Sequence, residues 1–489
     1  MRYVKLLENS VDQSDLFIRA NTGLDFQKQK NFIEAKKIFQ ELILEFSDHY
    51  YPRHLLGNLF IEMDEINKAQ ENLEISLSLN KDIVDNYINL SFIHFKNKNY
   101  FWMEKILKDG VKIDNKNLEL KLNLSELYLI QGKLKEVIEI DKNIIRIYPD
   151  NYYVLNRLDD LGEQVLDKDL KKSLKQSIKK ENLSSQKLIY ANFLLSKYEN
   201  KLDKHKQEFE YLSKAHELVF NSNKVYFTQN NSFIFERLKD IQNYYDNDLK
   251  VNIPKSNKNI RPIFIFGLPR SGSTLIEKII LKGTSDFIPG EETRIFNSLV
   301  DNIFFKKDKD FIPKCLEQIN DSYLDLIKSG KNVVSFTDKS LNNFFFLGWI
   351  KKLFPDAKFI NCKRDPYVII SSIFRNNLKN LTWAHNIDEI VHYIDIYNHV
   401  SNRWLNEFNV DYYEINYSQL VNDFETETKK LFEYCEIDWN ADLINFNTKN
   451  FISHTASNIK IRSNFSNSED KKHSGFSKFL LEKINRSNL

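Results

Sequence analysis

From residue 16 to about residue 150 the chain repeats itself every 34 residues, and no other feature restricts its fold as much. Small residues recur at Gly23, Gly57, Ser91 and Ser125. A second set falls at Ala35, Ala69, Met103 and Val137, and Phe26, Phe60, His94 and Tyr128 share an aromatic position. This period and these small-residue phases mark a helix–turn–helix unit starting near residues 16, 50, 84 and 118. One such unit cannot bury its apolar face, so the four must stack into an α-solenoid. Pro149 ends the fourth unit. Met103, Gly110 and Val137 depart from alanine in the third and fourth without breaking the register.

The unit resembles the tetratricopeptide (TPR) repeat, and residues 1–151 are assigned to four of them. Residues 152–250 keep helical periodicity but lose the register. Leu188–Tyr198 and Phe209–Val219 read as one degenerate TPR-like repeat with a lysine-rich insertion, Lys201–Lys206. The unpatterned polar stretch 251–259 reads as a linker, which leaves a further domain over 260–489. A chain of 489 residues, 42% of them hydrophobic, supports two or three domains with substantial cores.

That further domain opens with IFIFGLPRSGST, Ile263–Thr274. Four β-prone apolar residues suit an inner parallel strand. Gly267 and Gly272 let backbone N–H groups face an anion, and a helix follows whose N-terminus favours negative charge. A phosphorylated ligand is expected here. An ATP or GTP loop sets a lysine against the β- and γ-phosphates, but Ser273 holds that position and Arg270 brings a cation three residues earlier. A second apolar strand, Lys358–Cys362, leads to Arg364, with Ser372 eight residues on in a helical segment. Arginine can fork two hydrogen bonds onto a phosphate while a hydroxyl adds a third. Between these motifs lie Gly290-Glu291-Glu292-Thr293-Arg294 and, at the end of the apolar run Val333–Phe336, Thr337-Asp338-Lys339.

A strand, P-R-S-G-[ST]-T and a helix form the 5′-phosphosulfate loop of sulfotransferases. Residues 261 to about 480 resemble that family, especially tyrosylprotein sulfotransferases and bacterial sulfotransferases carrying TPR repeats. The resemblance implies a P-loop α/β domain with a mostly parallel sheet and helices on both faces, making the whole chain α + α/β. It implies the donor 3′-phosphoadenosine 5′-phosphosulfate (PAPS), with Arg270, Ser271, Gly272, Ser273 and Thr274 on the 5′-phosphosulfate and Arg364 and Ser372 on the 3′-phosphate. By the same resemblance Tyr417 packs near the nucleotide, Ser457 closes over it and Lys478 touches the 3′-phosphate. The GEETR match makes Glu292 the base that deprotonates the acceptor hydroxyl and places Arg294 beside the acceptor. Lys339, with Arg270, stabilises charge on the bridging oxygen. The chain departs from the family in the insertion Ser468–Lys472, in Ser477 where relatives often carry tryptophan, and in Asn376 where they carry a basic residue, Arg375 lying one position earlier.

With 70 Lys plus Arg against 68 Asp plus Glu, the net charge of +2 gives no support to nucleic-acid binding. Sulfuryl transfer needs an aligned acceptor and positive charge around the group in flight, so no metal is expected. His385, His392 and His399 recur every seven residues, a step of about 10 Å along a helix that one metal cannot bridge. They read as a stripe on a surface or interface helix. Three dispersed cysteines without a C-x-x-C pair point to a reduced, cytoplasmic setting. No apolar run approaches the roughly 18 residues of a membrane span, and no signal-peptide core is evident.

The expectation is a PAPS-dependent sulfotransferase acting on an acceptor hydroxyl, with the GEETR match favouring a protein tyrosine or other phenol and leaving saccharides and small molecules open. The solenoid would recruit a protein acceptor or partner; packing or homodimerisation is its alternative role. A nucleotide or small-molecule kinase is disfavoured by the missing loop lysine. A TPR scaffold with an inactive transferase-like domain is disfavoured by the retained Glu292 and Lys339.

Overall fold

The computed structural model describes residues 2–179, 183–247, 260–300, 312–328, 335–445 and 475–482. They fall into two compact units, Met1–Asp150 and Asn151–Leu489.

The first unit is a row of helix pairs: α1 Arg2–Lys28 with α2 Phe32–Glu45, α3 Tyr50–Glu62 with α4 Ile66–Leu79, α5 Val84–Lys96 with α6 Tyr100–Ile113, and α7 Leu118–Gln131 with α8 Leu134–Ile147. Helices α3, α5 and α7 begin where the period places them. Helix α1 starts well before residue 16, because the phase of a repeat fixes where packing occurs and sets no start for the helix. The small residues mark close approach within each pair. A Cβ at Gly23 would stand 2.4 Å from the Phe39 ring, and one at Gly57 would stand 2.6 Å from Leu73. At the same two phases in the fourth repeat, Ser125 instead donates a 2.7 Å hydrogen bond to Asp141. Ala35, Ala69, Met103 and Val137 are all buried. The second and third repeats are joined through a polar chain in which His54 Nδ1 meets Asn86 Oδ1 at 2.7 Å, Asn86 Nδ2 donates to Ser76 Oγ at 2.9 Å, and Asn89 Nδ2 donates to Asn58 Oδ1 at 2.7 Å. Buried polar atoms need such partners, so the chain also fixes the register between neighbours.

The second unit begins with α9 Tyr152–Asp160, α10 Lys168–Ile178, α11 Ser185–Asn200, α12 His205–Ser222, α13 Lys224–Ser232 and α14 Ile241–Asn247. It continues through β1 Ile263–Gly267, α15 Ser273–Gly283, β2 Phe287–Pro289, α16 Ile312–Lys328, β3 Ser335–Asp338, α17 Leu347–Leu353 and β4 Lys358–Lys363. Then follow α18 Pro366–Phe374, α19 Ile387–Asn406, β5 Tyr413–Asn416, α20 Tyr417–Asn422 and α21 Phe424–Cys435. The strands form one sheet in the order β2-β3-β1-β4-β5, every pair parallel. A parallel sheet buries both faces, and β1 shows how. Ile263 and Ile265 pack with Ile276, Ile279, Leu431 and Phe432, whereas Phe264 and Phe266 enter a larger core with Tyr323, Phe336, Phe359 and Trp404.

That larger core runs on into Ile189, Phe193, Leu212, Ala215, Val219 and Tyr245. Buried Glu208 of α12 pairs with Arg375 at 2.6 Å, and Gln242 Nε2 donates to the Val400 carbonyl at 2.8 Å. Within 152–250, expected as a degenerate TPR-like region, residues 185–245 therefore share the core of the layer that covers the sheet. The stretch 251–259 lies outside the described residues. The histidine stripe also divides. His392 and His399 are exposed on α19, but His385 ends the 3₁₀ turn Thr382–His385 and is buried, with its Nδ1 2.9 Å from His216 Nδ1. The three cysteines, Cys315, Cys362 and Cys435, are free and buried.

Candidate active site

Because all five strands run the same way, the chain leaves each of them at one edge of the sheet, and most of the described residues singled out by sequence lie just past those strand ends. The loop after β1 is shaped by two glycines. Gly267 has φ +150° and Gly272 has φ +101°, backbone angles that a side chain rarely adopts. Each also lies against a neighbour: a Cβ at Gly267 would meet the Cys362 carbonyl at 2.7 Å, and one at Gly272 would meet the Tyr417 ring at 2.5 Å. Arg270, at φ +72°, is held in the left-handed region without being glycine, the kind of strain that clusters at functional sites. Its Nε donates to Ser372 Oγ at 3.1 Å, and Arg364 donates to the Arg270 carbonyl at 3.0 Å. The Arg364 guanidinium also lies 4.4 Å over the Tyr417 ring. Arg270, Arg364, Ser372 and Tyr417, spread over about 150 residues of sequence, thus form one basic, half-buried cluster at the start of α15.

Whether this cradle fits a phosphorylated donor can be judged from its donors. Two guanidinium groups, the buried hydroxyls of Ser273 and Thr274, and a helix N-terminus converge on it. Ser271 Oγ is buried and has no hydrogen-bond partner among the described residues. The residues present fit the 5′- and 3′-phosphate groups of such a donor.

The second cluster lies after β2 and β3. Lys339, 1% exposed, donates from Nζ to Glu292 Oε1 at 3.0 Å, while Arg294, largely exposed, reaches Glu292 Oε2 at 3.7 Å. Glu291 points the other way, 3.9 Å from Lys278. The turn that carries them is tightly bound to β3. The Lys339 N–H donates to the Glu291 carbonyl at 2.7 Å, Thr293 Oγ1 donates to Asp338 at 2.5 Å, and the Arg294 N–H donates to Ser340 Oγ at 2.9 Å. Buried Tyr323 donates to the same Asp338 at 2.6 Å. Glu291 and Arg294 both take positive φ, +51° and +54°. Burial pushes the Cys362 thiol well up, against the pull of Lys339.

Sequence reasoning missed Glu277. This carboxyl of α15 is fully buried, and its Oε1 accepts from the Glu291 N–H at 3.1 Å and from Thr337 Oγ1 at 2.9 Å. Burial raises its pKa, opposed by the positive charges of Lys339 and Lys278. The available signal was a lone acid inside an apolar helix, Leu275-Ile276-Glu277. Lys478 is exposed on the helical segment 475–482; its neighbour Ser477 donates to the Tyr367 carbonyl at 3.2 Å. Arg375 turns toward Glu208, and Asn376 Nδ2 donates to the Ser372 carbonyl at 2.6 Å. Ser457 and the insertion Ser468–Lys472 lie outside the described residues. A cavity of 1020 Å³ opens elsewhere in this unit, lined in part by Phe209, Phe374, His385 and Phe479, and none of the clustered residues borders it.

Residues 262–441 match the Sulfotransferase family. In sequence, the matched stretch lies within the second unit and follows the helical repeat of the first. Over 449 residues the chain is 24% identical to an uncharacterized protein of Aquifex aeolicus (strain VF5), a match that covers 88% of this chain and 58% of that protein. The chain accordingly spans less than two thirds of that relative's length. Among solved structures it is similar to MamA (14% identity, TM-score 0.27, 43% of this chain and 94% of that one) and to Pseudomonas aeruginosa pilF (12%, 0.33, 41% and 90%). It is also similar to YrrB, a TPR protein with an unusual peptide-binding site (12%, 0.27, 45% and 92%). No described helix is long and apolar enough to cross a membrane.

Proposed function

We propose that the protein is a PAPS-dependent sulfotransferase that sulfates a hydroxyl, with a protein tyrosine or another phenol as the favoured acceptor class. The observation that carries this reading is the meeting of Arg270, Ser372, Arg364 and Tyr417 at the start of α15, since it unites the two sequence motifs assigned to the two ends of the donor. PAPS, when bound, supplies the sulfuryl group. Arg270 through Thr274 hold its 5′-phosphosulfate end, Arg364 and Ser372 its 3′-phosphate, and Tyr417 packs near the nucleotide. Glu292 takes the proton of the acceptor hydroxyl, a role worth about 10²- to 10⁴-fold in rate. Lys339 holds Glu292 in place through Nζ and, with Arg270, places positive charge where the leaving oxygen becomes negative. Arg294, the exposed cation beside Glu292, faces the acceptor. The TPR-like solenoid recruits a protein acceptor or partner to the catalytic unit.

The test is ligand stabilisation, with a chelator in the arm for the desulfated product and magnesium in the arm for ATP. The desulfated product, 3′-phosphoadenosine 5′-phosphate, should stabilise the protein by about 2.7 kcal/mol at a hundredfold excess over Kd. Stabilisation by ATP with magnesium and none by the product would overturn the reading in favour of a kinase.

A further inference from the structure

We propose that Glu277 is a positioning residue of this enzyme: it ties the helix that starts at the donor loop to the turn that carries the base, and so sets where Glu292 stands. This rests on the reading of Glu292 given above. Glu277 lies one helical turn into α15, and its buried Oε1 is shared by the Glu291 N–H and Thr337 Oγ1. The Glu291 carbonyl accepts in turn from the Lys339 N–H. The peptide groups on both sides of Glu291 are thereby gripped, one by α15 and the other by the end of β3, and Glu291 is held at φ +51°. Glu292 is the next residue. With its main chain fixed in this way, its carboxylate meets Lys339 rather than swinging into solvent.

A buried carboxyl is a costly means of packing a helix. Its Oε2 has no hydrogen-bond partner among the described residues, and an apolar side chain of similar size would avoid that desolvation. The carboxyl sits beside Ile276, Ile279 and Ile280, so its place there rests on its polar partners, the Glu291 N–H and Thr337 Oγ1, and on the nearby charges of Lys278 and Lys339. What an apolar residue cannot supply is an acceptor for the Glu291 N–H.

The experiment compares Glu277→Met and Glu277→Gln in the full chain by three readouts: amide hydrogen exchange at residues 290–294, affinity for 3′-phosphoadenosine 5′-phosphate, and turnover with PAPS and a small phenol. Methionine keeps the volume and removes the acceptor. Product affinity should stay within about threefold, while exchange quickens locally at 290–294 and kcat falls about 10²-fold through misplacement of the base. Glutamine keeps an acceptor oxygen and should restore slow exchange and most of the turnover. A residue that only stabilises the fold would quicken exchange throughout the second unit and weaken product binding together with turnover. Wild-type exchange and kcat in E277M would overturn the proposal, and so would an E277Q chain that exchanges as fast as E277M. If E277M does not fold, E277Q decides alone: slow exchange with retained turnover supports the brace, and fast exchange overturns it. Should the wild-type chain transfer no sulfuryl group, the functional reading fails, while the exchange comparison still decides whether Glu277 holds the turn.

Discussion

Single residues carry the chemistry, and the pair Glu291-Glu292 shows how strongly position decides their roles. The two acids are adjacent, yet Glu292 meets Lys339 at the open edge of the sheet while Glu291 faces Lys278. Glu292→Gln should therefore cut kcat by about 10²-fold or more with little change in product affinity, and Glu291→Gln should be nearly silent in steady-state kinetics. The reverse pattern would move the base to Glu291. A different residue-scale effect comes from His216 and His385. His216 donates from Nε2 to the Phe374 carbonyl at 2.7 Å, which leaves its Nδ1 to accept from His385. Burial lowers His216 to about 4 and His385 to about 3, so both imidazoles are neutral in the folded protein and bind protons only on unfolding below about pH 6.5. Stability of the second unit should fall as pH drops from 6.5 toward 4, by roughly 3 kcal/mol for each such group at the low end. Urea midpoints between pH 7.5 and 5 would show this, and His216→Phe should flatten the slope. Glu292 and Lys339 could be singled out in the sequence because each lies in a short motif that resembles the sulfotransferase family, and the structure brings the two side chains within 3.0 Å. Glu277 and the His216–His385 contact could not, because their partners lie 14 to 169 residues away and no local pattern names them.

At the scale of elements, the repeat period located most of the solenoid, down to the first residues of α3, α5 and α7. It also fixed something the sequence alone did not disclose. Each turn within a pair needs one residue in the left-handed region, and these fall at Lys30, Asp64, Lys98 and Gly132, with φ +60°, +58°, +54° and +79°. Only the fourth turn uses the residue suited to that angle. Lys98 is exposed, so Lys98→Gly should relieve strain at little cost in contacts and raise solenoid stability by about 0.5–1 kcal/mol, read as a higher urea midpoint for that transition. A decrease would mean that the entropy gained by the unfolded chain outweighs the relief. Helices α11 to α14 mark the limit of pattern reading. Their periodicity disclosed an apolar face but not what it meets, and the structure shows that this face shares the core of the sheet.

For the whole molecule, the place where the chain can be divided follows from that core. Ile189, Leu212, Val219 and Tyr245 lie in the same core as Phe264 and Trp404, so residues 185–247 belong with the unit that carries the sheet. A chain beginning at Asn151 should fold, bind product and turn over a small phenol at close to the full-length rate. One beginning near residue 250 should be insoluble or fail to bind product. The shorter chain behaving as well as the longer would show those helices to be dispensable. If the solenoid recruits the acceptor, the chain from Asn151 should keep kcat on the phenol but lose apparent affinity for a protein acceptor, because tethering acts through effective concentration and not on the chemical step. The one-way direction of the five strands has a final consequence, which concerns change over evolutionary time. Insertions at the edge where strands end would disturb the Arg270 and Lys339 clusters, while the edge where they begin, near Pro262, Ala357 and Tyr412, bears none of the clustered residues. Descendants of this protein can lengthen, shorten or fuse segments at that quiet edge while those clusters stay as they are, so diversity among relatives should concentrate there.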